Sequence, residues 1–146
     1  MLNSDRITKY LEQISTEIDV INSTIIHDDE KLLDSKQFLR SLKYSTVIIA
    51  EAIANTLEHI LAKKYKAAVS GYKEVLTKSR ENQVISSELL GKLYPFIKFR
   101  NMLIHQYWEV DDKLFLKNLR NGIKDFQAFI IEINNILDSS DKEKEI

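Results

Sequence analysis

Apolar residues fall at Ile7, Leu11, Ile14, Ile18, Ile21 and Ile25, an alternation of four and three that puts all six on one stripe of a helix. This spacing predicts a first helix over residues 5–26. The charged stretch His27 to Asp34 interrupts the pattern, and Ser35 then offers a cap for a second helix reaching to about Lys64. Its middle, Val47 to Leu57, is apolar or small on nearly every side, as in a helix enclosed by its neighbours. Tyr72, Val75 and Leu76 mark a shorter helix over about 68–80. Ser86 and Ser87 offer caps for the next, which carries Leu89, Leu90, Leu93, Phe96, Ile97, Leu103 and Ile104. Pro95 is its irregularity: inside a helix, proline removes a hydrogen bond at a cost of ~3 kcal/mol, which predicts a kink or a fresh helix start there. Asp111 or Asp112 caps the last helix, where Leu116, Leu119, Ile123, Phe126, Ile130, Ile133 and Leu137 keep register. Residues 139–146 hold one apolar side chain and read as a frayed acidic tail, leaving one domain over 1–138.

No segment alternates with the period of a strand. The pattern predicts an all-α fold, an antiparallel four-helix bundle with an additional short helix. Composition agrees: three glycines and one proline in 146 residues are too few for the turns of a sandwich, a barrel or a doubly wound sheet, and too scattered for a phosphate loop. A single domain of this length can bury its own core. The absence of cysteine removes disulfides and thiolate chemistry, and is compatible with a reducing compartment. With a charged N-terminus and no apolar run of the ~20 residues that span a bilayer, the expectation is a soluble, cytoplasmic protein.

The net charge of −1 conceals an uneven distribution. Residues 1–62 hold six Lys/Arg against ten Asp/Glu, residues 63–124 hold thirteen against six, and residues 125–146 hold two against six. A basic middle can present a local positive field to a polyanion, although a solvated mixed surface accounts for the same numbers.

The densest group of functional residue types is Arg100 to Trp108. On a helical wheel, Leu93, Ile97 and Ile104 lie within about 60° of Arg100 on one side, and Phe96 and Leu103 within about 60° on the other. A guanidinium cannot be neutralised, so on an inward face it needs an anion or a set of acceptors. Glu51 on the enclosed second helix is one candidate, as an internal ion pair. The alternative is a cleft between subunits where Arg100 meets a phosphate. Asn101 and His105, four apart, share another edge, and His105 is the group's only side chain that titrates near neutrality. Arg100 and His105 are about 140° apart. Either the helix ends near His105, or two copies face each other across a dimer.

The segment Phe99-Arg100-Asn101-Met102-Leu103-Ile104-His105-Gln106-Tyr107-Trp108-Glu109-Val110-Asp111 resembles the signature of HEPN-domain proteins. In its R-x-x-x-x-H-x-Y form, followed by an aromatic and Val-Asp, it is similar to the HepT branch of toxin ribonucleases. With five Arg, three His and six Tyr, this spacing is expected by chance roughly 0.004 times in such a chain. The resemblance implies a metal-independent RNA endonuclease, active as a homodimer and forming the toxin of a type VII-like pair with a minimal nucleotidyltransferase antitoxin. It implies that the antitoxin silences the toxin by adding AMP to Tyr107. By the same resemblance, Arg100 holds the scissile phosphate, Asn101 orients it or the base, and His105 is general acid or base. Metal and cofactor are not called for, because RNA supplies its own nucleophile in the 2′-hydroxyl. Proton transfer and charge stabilisation are then what the protein must provide.

Two other classes remain open: a non-catalytic helical module that binds a nucleotidyltransferase, and a bundle whose motif face only dimerises. Glu51 and Asn55 share a helix face suited either to a buried hydrogen bond or to a supporting place in a cleft. His27 and His59 lack metal-ligand spacing with His105 and read as surface or structural. Lys63, Lys64 and Lys66 fit an RNA backbone or a helix C-terminus equally.

Overall fold

The computed structural model describes residues 1–145, and all regular structure among them is helical. Four long helices, α1 (Ser4–Ile25), α3 (Lys36–Lys64), α5 (Ser87–His105) and α6 (Asp112–Glu145), close a ring: α1 packs on α3 and α6, and α5 packs on the same two. Two short helices, α2 (Asp29–Asp34) and α4 (Tyr72–Glu81), fill the longer connections, and a 3-10 turn (Tyr107–Glu109) joins α5 to α6. Neighbours in the ring are antiparallel. The Asn3 amide at the start of α1 donates to His59 near the end of α3, Arg120 near the start of α6 reaches the carbonyl of Ile25 at the end of α1, and Ser86 before α5 meets Glu132 far along α6. The predicted all-α bundle is the architecture found.

Local chemistry sets the helix ends. Asn3, Asp28, Ser35, Ser86 and Asp111 each accept a backbone N–H three residues on, satisfying a donor that a helix start leaves free. Of the two aspartates proposed for the last cap, Asp111 is the one used. The stripe Ile7, Leu11, Ile14, Ile18 and Ile21 is buried as its spacing predicts, and α3 contributes Ile49, Ile53, Leu57 and Ile60 to the same core.

Four features differ from the sequence reading. The charged stretch after α1 contains α2, capped by Asp28 and anchored by the fully buried Leu32. Arg120 fixes this corner by donating to Asp29 and to the carbonyls of Ile25 and His27. The predicted helix over 68–80 begins only at Tyr72, because the backbone reverses first: Gly71 sits at φ 81°, a conformation other residues seldom adopt. Helix α5 runs unbroken through Pro95, so no fresh helix starts there. Pro95 and Gly91 both face solvent, and water can serve the Gly91 carbonyl that the proline leaves without a donor. At the C-terminus, α6 continues through the tail as far as Glu145, since Ser139 to Glu145 includes neither glycine nor proline; Ile146, the end of the expected frayed tail, lies outside the described residues.

The motif helix is held from both sides. Phe96 meets Phe126 edge-on at 4.7 Å between ring centres, and Phe99 stacks on Phe115 at the same distance. The Phe96 ring lies directly over Gly122, which leaves it room that a Cβ would take. These contacts fix α5 against α6 and thereby fix which way Arg100 points.

Candidate functional site

Arg100 turns toward α3 and α4. Its Nε and Nη2 donate to one oxygen of Glu51, at 3.2 and 3.1 Å, and Nη1 donates to the Asn101 side-chain oxygen at 3.1 Å. The guanidinium carbon lies 4.6 Å from the centre of the Tyr72 ring, a cation–π contact from the first residue of α4. Three of its five N–H donors are thus engaged, which leaves two for an anion. The Arg100 side chain is 20% exposed and that of Glu51 42%, so the pair sits at the edge of the core with one side open to water.

Sequence reasoning named Glu51 as the internal partner of Arg100, and the structure brings the two together. It did not single out Tyr72. The ring stands 28 positions from the arginine in sequence, on a helix with no motif, and only the fold puts it there. Burial pushes the Tyr72 phenol above its ordinary value, the Arg100 charge opposes this, and the Glu51 carboxylate adds to it. Asn55 is exposed and belongs to no hydrogen bond of this group.

His105 is the last residue of α5, exposed, with no side-chain partner among the described residues. The helix ends there, which is one of the two arrangements that the separation of about 140° from Arg100 left open. Tyr107 and Trp108 follow in the 3-10 turn, each 68% exposed and edge-on to one another at 5.4 Å. Asn101 is occupied by Arg100 rather than by His105. So Arg100, Asn101, Glu51 and Tyr72 form one connected group, while His105 and Tyr107 follow it in sequence, exposed and outside its hydrogen bonds. His27 stacks on Phe38 at 5.0 Å, and His59 is buried, its Nε2 accepting the Asn3 N–H at 3.0 Å. Both histidines are structural. No group of three or more His, Asp or Glu side chains arranged for a metal ion occurs among the described residues.

The family model described as Ribonuclease HepT-like matches residues 7–133. The chain belongs to that family. Its fold is that of solved HEPN proteins. It is similar to the tri-AMPylated Shewanella oneidensis HEPN toxin in complex with MNT antitoxin, with a TM-score of 0.83, 20% identity, and coverage of 92% of this chain and 99% of that one. A toxin–antitoxin structure with AMP-PNP matches at a TM-score of 0.82 and 19% identity, covering 90% of this chain and 98% of that one. The cytosolic protein of unknown function YutE from Bacillus subtilis matches at 0.81 and 16% identity, covering 95% and 93%. No curated protein matches significantly in sequence. Among the described residues, no helix is long and apolar enough to cross a membrane.

Proposed function

We propose that this chain is the toxin of a toxin–antitoxin pair, a homodimeric RNA endonuclease that needs no metal and is silenced by AMP addition to Tyr107 by a nucleotidyltransferase antitoxin. The observation that carries the reading is the guanidinium of Arg100, fixed on one edge by Glu51 and on its face by Tyr72, with two donors left over five residues before an exposed histidine. A fork held in this way is organised before a phosphate arrives, and charge stabilisation by such groups is a large part of catalysis. The RNA 2′-hydroxyl attacks the adjacent phosphorus, the P–O5′ bond breaks, and His105 moves a proton to or from the reacting oxygens. Asn101 holds the second edge of the fork. Because Arg100 and His105 leave α5 in different directions, a two-fold partner brings the arginine of one copy toward the histidine of the other.

Tyr107 supports the regulatory half of the reading. Its exposed ring is open to a modifying enzyme, and one nucleotidyl group there adds a phosphodiester charge and a base beside the site. A second reading, a non-catalytic module that binds a nucleotidyltransferase, is favoured by the same ion pair, since Glu51 already gives the Arg100 charge a partner within the single chain. Incubating purified protein with total RNA in EDTA, beside a His105→Ala control, separates the two. Cleavage by the wild type alone supports the nuclease, and intact RNA in both favours the module.

A further inference from the structure

A groove of about 480 Å³ runs between the start of α3 and the end of α5. One wall carries Lys36, Arg40 and Lys43, spaced four and three apart and therefore on one face of α3. Lys43 is tied to Asp112 at 2.6 Å, whereas Lys36 and Arg40 are exposed and pair with no carboxylate among the described residues. Helix stability does not explain them. Lys36 opens α3, where the helix dipole favours acids, and the first turn of α3 contains none. Aromatic rings flank the cations: Tyr44 on α3 and Tyr107 from the 3-10 turn, both 68% exposed. The floor is apolar, with Leu103 and Ile104 reaching it from the motif helix immediately before His105.

We infer that this groove binds single-stranded RNA, with Lys36 and Arg40 on successive phosphates and bases stacked on Tyr44 and Tyr107. The inference rests on the reading of the chain as a ribonuclease and specifies the form of its substrate. Cations alone fit any polyanion. Among nucleic acids, exposed rings beside them fit unpaired bases, because a duplex keeps its base faces stacked and presents phosphates and sugars to a surface. The volume lies within the ~300–1,000 Å³ range of pockets that enclose small groups, which suits bases entering one at a time. Lys36 and Arg40, four residues apart, stand about 6 Å apart along the helix axis, so two phosphates can be met in succession. A strand laid along this wall leads past Ile104 to His105, where the proposed chemistry takes place.

The test is fluorescence anisotropy with a labelled 2′-O-methyl RNA of about 12 nucleotides, which lacks the nucleophile and survives whether or not the protein is a nuclease. A duplex of the same sequence serves as competitor. Removing both free cations in Lys36→Ala/Arg40→Ala should reduce the slope of log K against log salt by roughly 1.4, at about 0.7 per phosphate contact for single strands. Tyr44→Ala should weaken binding at least about fivefold with the slope unchanged, because it removes stacking and no charge. The duplex should compete poorly. Variants that bind with wild-type affinity and slope overturn the groove, as does a duplex that competes equally. A Lys36→Ala/Arg40→Ala protein that turns monomeric in light scattering with its RNA affinity intact would assign the groove to a contact between copies and overturn it likewise. Binding with these signatures but no cleavage of unmodified RNA would leave the groove standing and remove the nuclease.

Discussion

Arg100 and Glu51, 49 positions apart on α5 and α3, meet through two N–H groups and a single carboxylate oxygen. The arrangement orients the guanidinium plane without exhausting its donors. Arg100→Lys keeps the charge but replaces a planar fork with a point charge, and should lower RNA cleavage about 100-fold with the helical circular dichroism unchanged. Glu51→Gln should cause a smaller loss together with a stability cost of about 1 kcal/mol, moderated by the exposure of the carboxylate. Single-turnover kinetics and thermal unfolding read the two effects separately. Full activity in Arg100→Lys would end the proposed role.

His105 lies at the other extreme, exposed and without a partner at the end of α5. Because the fold asks nothing of it, His105→Ala should shift stability by no more than about 0.5 kcal/mol while abolishing RNA cleavage. A purely structural histidine would give the reverse pattern.

Gly122 and Phe96 provide a test of how the motif helix is seated. Alanine is the better helix former by about 1 kcal/mol, so on propensity alone Gly122→Ala should stabilise α6. Its Cβ would instead collide with the Phe96 ring, which is buried and held edge-on against Phe126 one turn further along α6. Overpacking costs about 1–3 kcal/mol, and the net expectation is a loss of up to about 2 kcal/mol in chemical denaturation in place of the gain. Phe96→Leu in the same chain should recover part of it.

Much of this was legible because helical periodicity is a local signal. The isoleucine stripe of α1, the caps at Ser35 and Ser86 and the enclosed middle of α3 are all set by residues within a few turns of one another. The missed α2 shows where that signal stops: six mostly charged residues form a helix because one leucine is buried and Arg120, 91 positions beyond Asp29, clamps the corner. The site divides in the same way. Its motif half was readable from spacing, and Glu51 from the need to satisfy an inward guanidinium. Tyr72 and the cations at the start of α3 were not, since they reach the motif only through tertiary packing.

His59 makes stability depend on pH. Burial lowers its pKa below the ordinary 6.5, assisted by the positive charges of Arg6, Lys63 and the N-terminus, and its Nε2 must stay unprotonated to accept the Asn3 N–H. The folded state therefore binds fewer protons than the unfolded state. The resulting stability is present above about pH 6.5 and is lost as the pH falls through the lower folded value. Urea midpoints measured from pH 8 down to pH 5 should decline more steeply for the wild type than for His59→Gln, whose amide oxygen can still accept and does not titrate. Parallel profiles would refute the assignment.

Tyr107 carries the regulatory expectation. Its hydroxyl belongs to an exposed ring just past the end of α5, close in sequence to His105 and in the wall of the basic groove. Transfer from ATP joins the tyrosine oxygen to the α-phosphorus, breaks the bond to the β-phosphate and releases pyrophosphate, with the phenolic proton passing to base. The product puts a negative charge where an RNA phosphate would approach Lys36, Arg40 or Arg100, so like charges oppose one another and the attached nucleoside occupies space needed by the substrate. Co-expression with a cognate nucleotidyltransferase should raise the mass of the chain by one or more AMP units located on Tyr107, and should suppress both toxicity and RNA cleavage. Tyr107→Phe should remain unmodified and escape that suppression, provided that its own cleavage of RNA is first shown to persist. An inactive complex in which Tyr107 is unmodified would assign the inhibition to steric cover by the partner instead.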